Sequence, residues 1–291
     1  MITLHIEDAY IRLMQVAGRQ AVKVASLPLE PGLVEYGEVI DRTTVSGLIT
    51  ELMASRSISD KQVVTSISGI HSIYRIVSLP HLARNIVAEA AQRELTRAMP
   101  VPLAQLYTSW QAVDVSGQET VLCLVGLPRN TVDAMLETLR QAGLQPIGMD
   151  ITPLALARLT DEKDAIIINA QASSFDIVVM ADGIPELLRS LTFPSGEVSM
   201  QDKIKLVKEE LERTITFYNS SHKENSITTS TTAFISGETT KALGESLGYR
   251  LKPLPLWLSS KISFDINEYA VNVGLALKQV RDSRVPVRVN I

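Results

Sequence analysis

The sequence is short of most features that reveal a function directly. Its one cysteine, Cys123, has no second thiol to pair with, and within the apolar run Val121–Leu127 it reads as a buried, inert residue. That run, VLCLVGL, is the longest apolar stretch beside a strand and falls far below the roughly 18 residues a bilayer-spanning helix needs. The opening residues MITLHIEDA carry no basic segment followed by an apolar one, so no secretory signal is expected. Basic runs are missing too. With 28 Lys and Arg against 32 Asp and Glu, a net charge of −4 and no cationic stripe, nucleic acid is excluded as the principal partner. Motifs of the forms G-x-x-x-x-G-K-[ST], G-x-G-x-x-G and G-x-S-x-G are absent. His5, His71, His81 and His222 are scattered without zinc spacing and read as surface or turn positions, so no metal site is expected. The expected compartment is the cytoplasm.

What is present is core. At 291 residues and 45% apolar content the chain can build one large or two ordinary domains. Alternation in ITLHI, YIRLMQV and QAVKVASL predicts three consecutive strands in a meander, with Gly18 in the second turn. Val45, Leu48, Ile49, Leu52 and Met53 follow with helical spacing, and QVVTSISG predicts the next strand. The pattern then returns: AIIINAQASSFDIVVMADGIPELLRSL is again strand, polar turn, strand, glycine turn, strand. Gly183 follows Asn169 at nearly the distance at which Gly18 follows His5. This is a duplication at the level of architecture. Two such halves facing one another build an actin-like, ribonuclease H-type body with a cleft between them.

Between the halves lies a second kind of unit. IYRIVSLP predicts a strand; Leu82, Ile86, Val87, Ala90, Ala91 and Leu95 mark a helix closed by MPVP. LYTSWQAVDV and TVLCLVGLP predict two strands separated by SGQE, then a helix carries Val132, Met135, Leu136 and Leu139 on one face, and QPIGMDI supplies a last strand. The order β-α-β-β-α-β predicts a self-contained α+β insert. Thr152 and Pro153 fit the N-cap and first position of a short returning helix, with Asp150 as a helix-start acid. Later, a helix is predicted from Lys203 to about Tyr218, with AFISGETTKALGESLG and NEYAVNVGLALKQV supplying a strand and two more helices.

Taken in order, VVTSISGIHSIYRIVSLP, MPVP, GMDITPLALAR, EELERTITFYNSS, AFISG and YAVNVGLALK resemble the type IV pilus assembly protein PilM family, relatives of the division protein FtsA, over nearly the whole chain. The resemblance implies an α/β fold: an actin-like (ribonuclease H-like) duplicated body with an FtsA-type α+β insert subdomain. It divides the chain into a first half (1–69 and 150–163), an insert (70–149), a second half (164–198 and 230–291) and a reduced helical subdomain (199–229). It further implies a cytoplasmic scaffold beneath the inner-membrane platform of a pilus machine, peripheral to the membrane through protein partners. Its partners would be the N-terminal cytoplasmic peptide of a PilN-like protein, opening with an Ile-Asn-Leu-Leu-Pro-like stretch, together with platform and motor components and a homo-oligomer. On this reading the peptide groove lies where the insert meets the first half, near Tyr74, Ile76, Met149 and Asp150.

The family's nucleotide loops are degenerate here. Where an Asp-Ile-Gly-Ser-like loop is expected, the sequence has His5, Ile6, Glu7 and Asp8; the glycine that lets backbone N–H groups approach phosphate is gone. At about 4 Å each carboxylate would repel a phosphate oxygen by roughly 1–4 kcal/mol. The second phosphate loop becomes Asn169, Ala170 and Gln171, and the adenosine loop keeps Gly237 but continues with Glu238. No cofactor and no catalysis are therefore expected, the alternative being an ATPase that binds ATP with Mg²⁺ through divergent loops. The tail QVRDSRVPVRVNI contains Pro286 and alternates, unlike a membrane-binding amphipathic helix, so no direct membrane insertion is expected. Its final VNI is faintly similar to the partner peptide's opening.

Overall fold

The computed structural model describes residues 1–114, 119–194, 196, 198–238 and 240–279. The tail reading falls at 280–291, outside the described residues, as does most of the SGQE turn.

The first sheet opens with the expected meander: β1 (Ile2–Ile6), β2 (Tyr10–Ala17) and β3 (Gln20–Pro28) pair antiparallel, with Leu4 opposite Leu13. Its alternation sends Ile2, Leu4, Ile6, Ile11 and Leu13 to one buried face. A small hairpin, β4 (Val34–Glu35) and β5 (Glu38–Val39), leads to α1 (Arg42–Ser55), which starts where the Asp41 carboxylate accepts from the Thr44 N–H at 3.0 Å. β6 (Gln62–Ile67) then joins β1 in parallel.

The insert is narrower than the sequence suggests. β7 (Ile73–Pro80), α2 (Arg84–Ala98), β8 (Leu106–Asp114) and β9 (Glu119–Pro128) form a three-stranded sheet in the order β7-β9-β8 with one covering helix. Leu122 and Leu124 of β9 face Ala91 and Leu95 of α2, whereas Val121, Cys123, Val125 and Leu127 point the other way into the core of the body. The expected second helix and last strand belong to that body. α3 (Arg129–Gln141) buries Val132, Met135 and Leu139 in the first sheet's core, and β10 (Gln145–Ile151) is the edge strand of that sheet, parallel to β6. Periodicity identifies QPIGMDI as a strand but carries no information on which sheet receives it.

α4 (Thr152–Ala157) follows at once, capped by Ile151; Thr152 is its first residue rather than its cap, and its hydroxyl donates toward Ile67 O at 3.3 Å. The second half repeats the first: β11 (Ala165–Ala170), β12 (Ser174–Ala181) and β13 (Ile184–Thr192) form a meander, and α5 (Met200–Ser221) crosses to β14 (Thr232–Gly237), parallel to β11 as β6 is to β1. α6 (Thr240–Leu247) and β15 (Arg250–Leu251) complete the order β13-β12-β11-β14-β15. β16 (Ser259–Ser260) returns to pair with β3, and α7 (Ala270–Gln279) ends the described chain.

α4 and α7 are the layer both sheets share. Their residues pack in one cluster with Met14, Val16 and Val64 of the first sheet and Ile167, Val178 and Met180 of the second. The helices approach so closely that a Cβ on Gly274 would sit 2.0 Å from the Ala155 carbonyl oxygen. Backbone meets backbone there, so no side-chain rearrangement makes room. Gly274→Ala is therefore expected to destabilise the protein by roughly 1–3 kcal/mol, the usual cost of overpacking; an unchanged urea midpoint would contradict this packing.

Candidate functional site

The first hairpin turn, between β1 and β2, spends both its carboxylates on the protein itself. Glu7, 7% exposed, is ion-paired with Arg12 from β2, itself 3% exposed. Asp8 accepts from the backbone N–H groups of Tyr36 at 3.0 Å and Gly37 at 2.7 Å. Both of those residues have left-handed backbone, φ +54° and +77°, so their N–H groups converge on one acceptor. The turn thus presents occupied acceptors where phosphate would require free donors. His5 is buried rather than superficial, its Nδ1 3.2 Å from Ser66 Oγ, and burial with the nearby Arg12 charge holds it down to about 3.

The second hairpin is closed by a polar network. Asn169 donates to Asp176 Oδ2 at 3.2 Å, and its own carbonyl oxygen accepts from Gln171 at 3.1 Å and Ser236 at 3.0 Å. Ser190 donates to the other oxygen of Asp176. Gly237 has φ +90° and a Cβ there would lie 2.1 Å from Ala170 O, so the strand end touches the hairpin's backbone directly. Glu238 follows, with its N–H on Ala170 O at 2.9 Å and its carboxylate 3.8 Å from Arg12. The structure therefore brings His5, Glu7, Asn169, Gln171, Gly237 and Glu238 to the facing ends of the two sheets. Arg12 was not singled out from the sequence. The signal was there: an arginine inside the otherwise buried strand YIRLMQV must have a carboxylate partner.

Two cavities flank the junctions. One of about 1050 Å³ opens between the hairpin tips, lined by Asp8, Tyr36, Ser173, Phe193, Ser199 and Lys203 among others. Lys203 is engaged there, donating to Ala172 O and lying 5.0 Å from the Phe193 ring. The other, about 810 Å³, runs between β7 of the insert and β13 of the second half, lined by Tyr74, Ile76, Glu119, Glu186, Leu188 and Phe217 among others. Among the described residues each of these strands is paired on one side only. Phe217, 66% exposed, stands at its rim.

The four expected groove residues separate. Tyr74 and Ile76 line this second cavity, which meets the second half rather than the first. Met149 and Asp150 lie elsewhere, at 3% and 0% exposure. Met149 packs in the core of the first sheet, and Asp150 is paired with Arg158 and, at 3.7 Å, with Lys278. They sit at the buried end of this edge strand, so neither side chain is open to a peptide; Asp150 also accepts from the Ile151 N–H at 2.9 Å.

Two facing β-meander halves, each completed by a parallel strand and joined by α4 and α7, define the actin-like α/β fold. No protein-family model matches the sequence, and no curated protein does. Solved structures do match. A chain of the PilM–PilN type IV pilus biogenesis complex superposes with a TM-score of 0.79 at 23% identity, covering 96% of this chain and 98% of that one. The cytoplasmic domain of EpsL, an inner-membrane component of the type II secretion system of Vibrio cholerae, gives 0.55 at 13% identity over 96% and 94%. Ethanolamine utilization protein EutJ from Carboxydothermus hydrogenoformans gives 0.53 at 15% identity over 95% and 88%.

The Asn169 network carries a pH signature. Burial pushes the Asp176 carboxyl up to about 6, against the bonds from Ser190 and Asn169 that pull it down. An unfolded Asp titrates near about 3.9, so the folded state holds the extra proton between about pH 4 and about pH 6 and loses stability as pH rises through that window. His5 acts in the opposite sense: neutral when folded, it lowers stability as pH falls below about 6.5. The difference between wild type and Asp176→Asn isolates the first effect. Relative to the variant, the wild type is expected to weaken as pH rises from about 4 to about 7, by the order of 1–3 kcal/mol; parallel unfolding profiles would contradict it.

Proposed function

We propose that the chain is a non-catalytic scaffold of an inner-membrane pilus or secretion platform, and that it grips an extended segment of a PilN-like membrane protein in the groove between β7 and β13. The observation that carries this reading is the groove itself. Two strand edges, each paired on one side only among the described residues, flank a cavity of about 810 Å³ with apolar walls from Ile76, Ile184, Leu188 and Phe217. An extended peptide can satisfy such edges with its backbone while alternate side chains enter the pockets. The likeness to a chain of the PilM–PilN complex supports a partner of that kind. Among the described residues no helix is long and apolar enough to cross a membrane, which suits attachment through a protein partner. Platform and motor components, and further copies of the chain, are proposed as additional contacts.

A second reading, an ATP-binding protein with divergent loops, is favoured by the 1050 Å³ cleft between the hairpin tips. Against it stand the engaged groups: Glu7 on Arg12, Asp8 on the 36–37 backbone, Asn169 within its network. The first hairpin sets two carboxylates, Glu7 and Asp8, where a phosphate would have to approach.

Two measurements separate the readings. Millimolar Mg-ATP is expected to leave the melting temperature unchanged, whereas ligand at about 100 times its Kd would add about 2.7 kcal/mol and a plain upward shift. By calorimetry, a synthetic peptide opening Ile-Asn-Leu-Leu-Pro is expected to bind the wild type, and Phe217→Ala and Ile76→Ala to bind it roughly tenfold more weakly, about 1.4 kcal/mol each. Wild-type affinity in both folded variants would remove the groove from the reading.

A further inference from the structure

Arg12 stands on β2 directly across the ladder from His5, with the Tyr10 ring 4.7 Å from its guanidinium. It meets anions from both halves of the molecule. Glu7 belongs to its own hairpin; Glu238, 3.8 Å away, belongs to the loop that follows β14 of the second sheet. That loop is itself fixed to the second half, because the Glu238 N–H donates to Ala170 O at 2.9 Å and the Gly237 N–H donates to Asn267 O at 3.1 Å. Burial alone would loosen the proton on Arg12; the charges of Glu238 and Glu268 and the nearby Tyr269 oppose this, while His5 stays neutral alongside. One cation therefore sits between carboxylates that the chain brings from opposite sides of the cleft.

We propose that the Arg12 bridge is an internal latch, which fixes the two halves relative to one another without any bound ligand. A ligand shared between two rigid bodies holds them closed by contacting both; Arg12, through Glu7 and Glu238, makes both contacts from within the chain. Glu7 orients the guanidinium in the first half, and Glu238 supplies the contact across the cleft. The latch stands on this ion set alone and does not depend on the identity of the groove's partner.

The test uses the full chain with spin labels on Glu51→Cys in α1 and Lys205→Cys in α5, both exposed. Cys123 is fully buried, and a control without the two added thiols establishes that it takes no label. Electron–electron distance measurement is expected to give one narrow distribution that Mg-ATP leaves unchanged. Glu238→Gln removes the charge of the crossing contact yet leaves Arg12 paired with Glu7, so no buried charge is stranded and the fold is kept. In that variant the distribution is expected to broaden and lengthen, with roughly tenfold faster hydrogen exchange at the residue 238 amide. Arg12→Met should broaden it further; if it does not fold, Glu238→Gln still decides. A Glu238→Gln distribution identical to the parent, or a broad parent that narrows on adding Mg-ATP, overturns the proposal.

Discussion

Asp150 lies fully buried where β10 hands the chain to α4, and its carboxylate faces Arg158, which caps the end of α4, and Lys278 from α7. Two cations and one anion in an apolar layer would be costly if nothing else received them. Backbone carbonyls do: Leu154 O accepts from Arg158 at 3.1 Å and Met149 O accepts from Lys278. Burial lowers the proton affinity of Lys278, and the Asp150 charge only partly opposes this. Because α4 and α7 are the layer against which both sheets pack, the register of that layer governs the position of everything else. Removing one member of such a buried set typically costs about 3–5 kcal/mol, since it strands the others.

The turns of an actin-like body point at the cleft, and in this chain their polar groups are consumed by one another: Glu7 by Arg12, Asp8 by the 36–37 backbone, Asn169 by Asp176, Gln171 and Ser236. A polar network that satisfies its members in this way holds the hairpin ends to one arrangement. The second cavity lies apart from these turns, at the seam where the insert's edge strand runs beside the second half.

The parts of the structure legible in the sequence were those written in local periodicity. Both meanders, the parallel strands after each, and α1, α5 and α7 follow from alternation and helical spacing, and the duplication follows from comparing the two runs. The altered make-up of the two hairpin turns was legible too, because a missing glycine and two added carboxylates change chemistry wherever they sit. Two things were not. QPIGMDI reads identically as an insert strand or a body strand, so the insert was drawn too large and Met149 and Asp150 were assigned to a surface they never reach. The groove's second wall, β13 with Phe217 of α5, lies more than a hundred residues beyond Tyr74 in sequence, and no local pattern announces a pairing at that range.

The first sheet is finished by the last part of the chain. β16, at Ser259–Ser260, extends its edge beside β3, and Asn272 of α7 donates to the carbonyl oxygens of Thr3 at 3.1 Å and Arg12 at 3.0 Å. On a translating ribosome β1 and β2 therefore emerge long before the residues that complete them. At about 5–20 residues per second the wait is on the order of 10–50 s. For that interval the β3 edge is unpaired and the face that α7 will cover is open to water. The nascent first half is thus the segment most exposed to wrong pairing during synthesis, and the one a chaperone would be expected to hold.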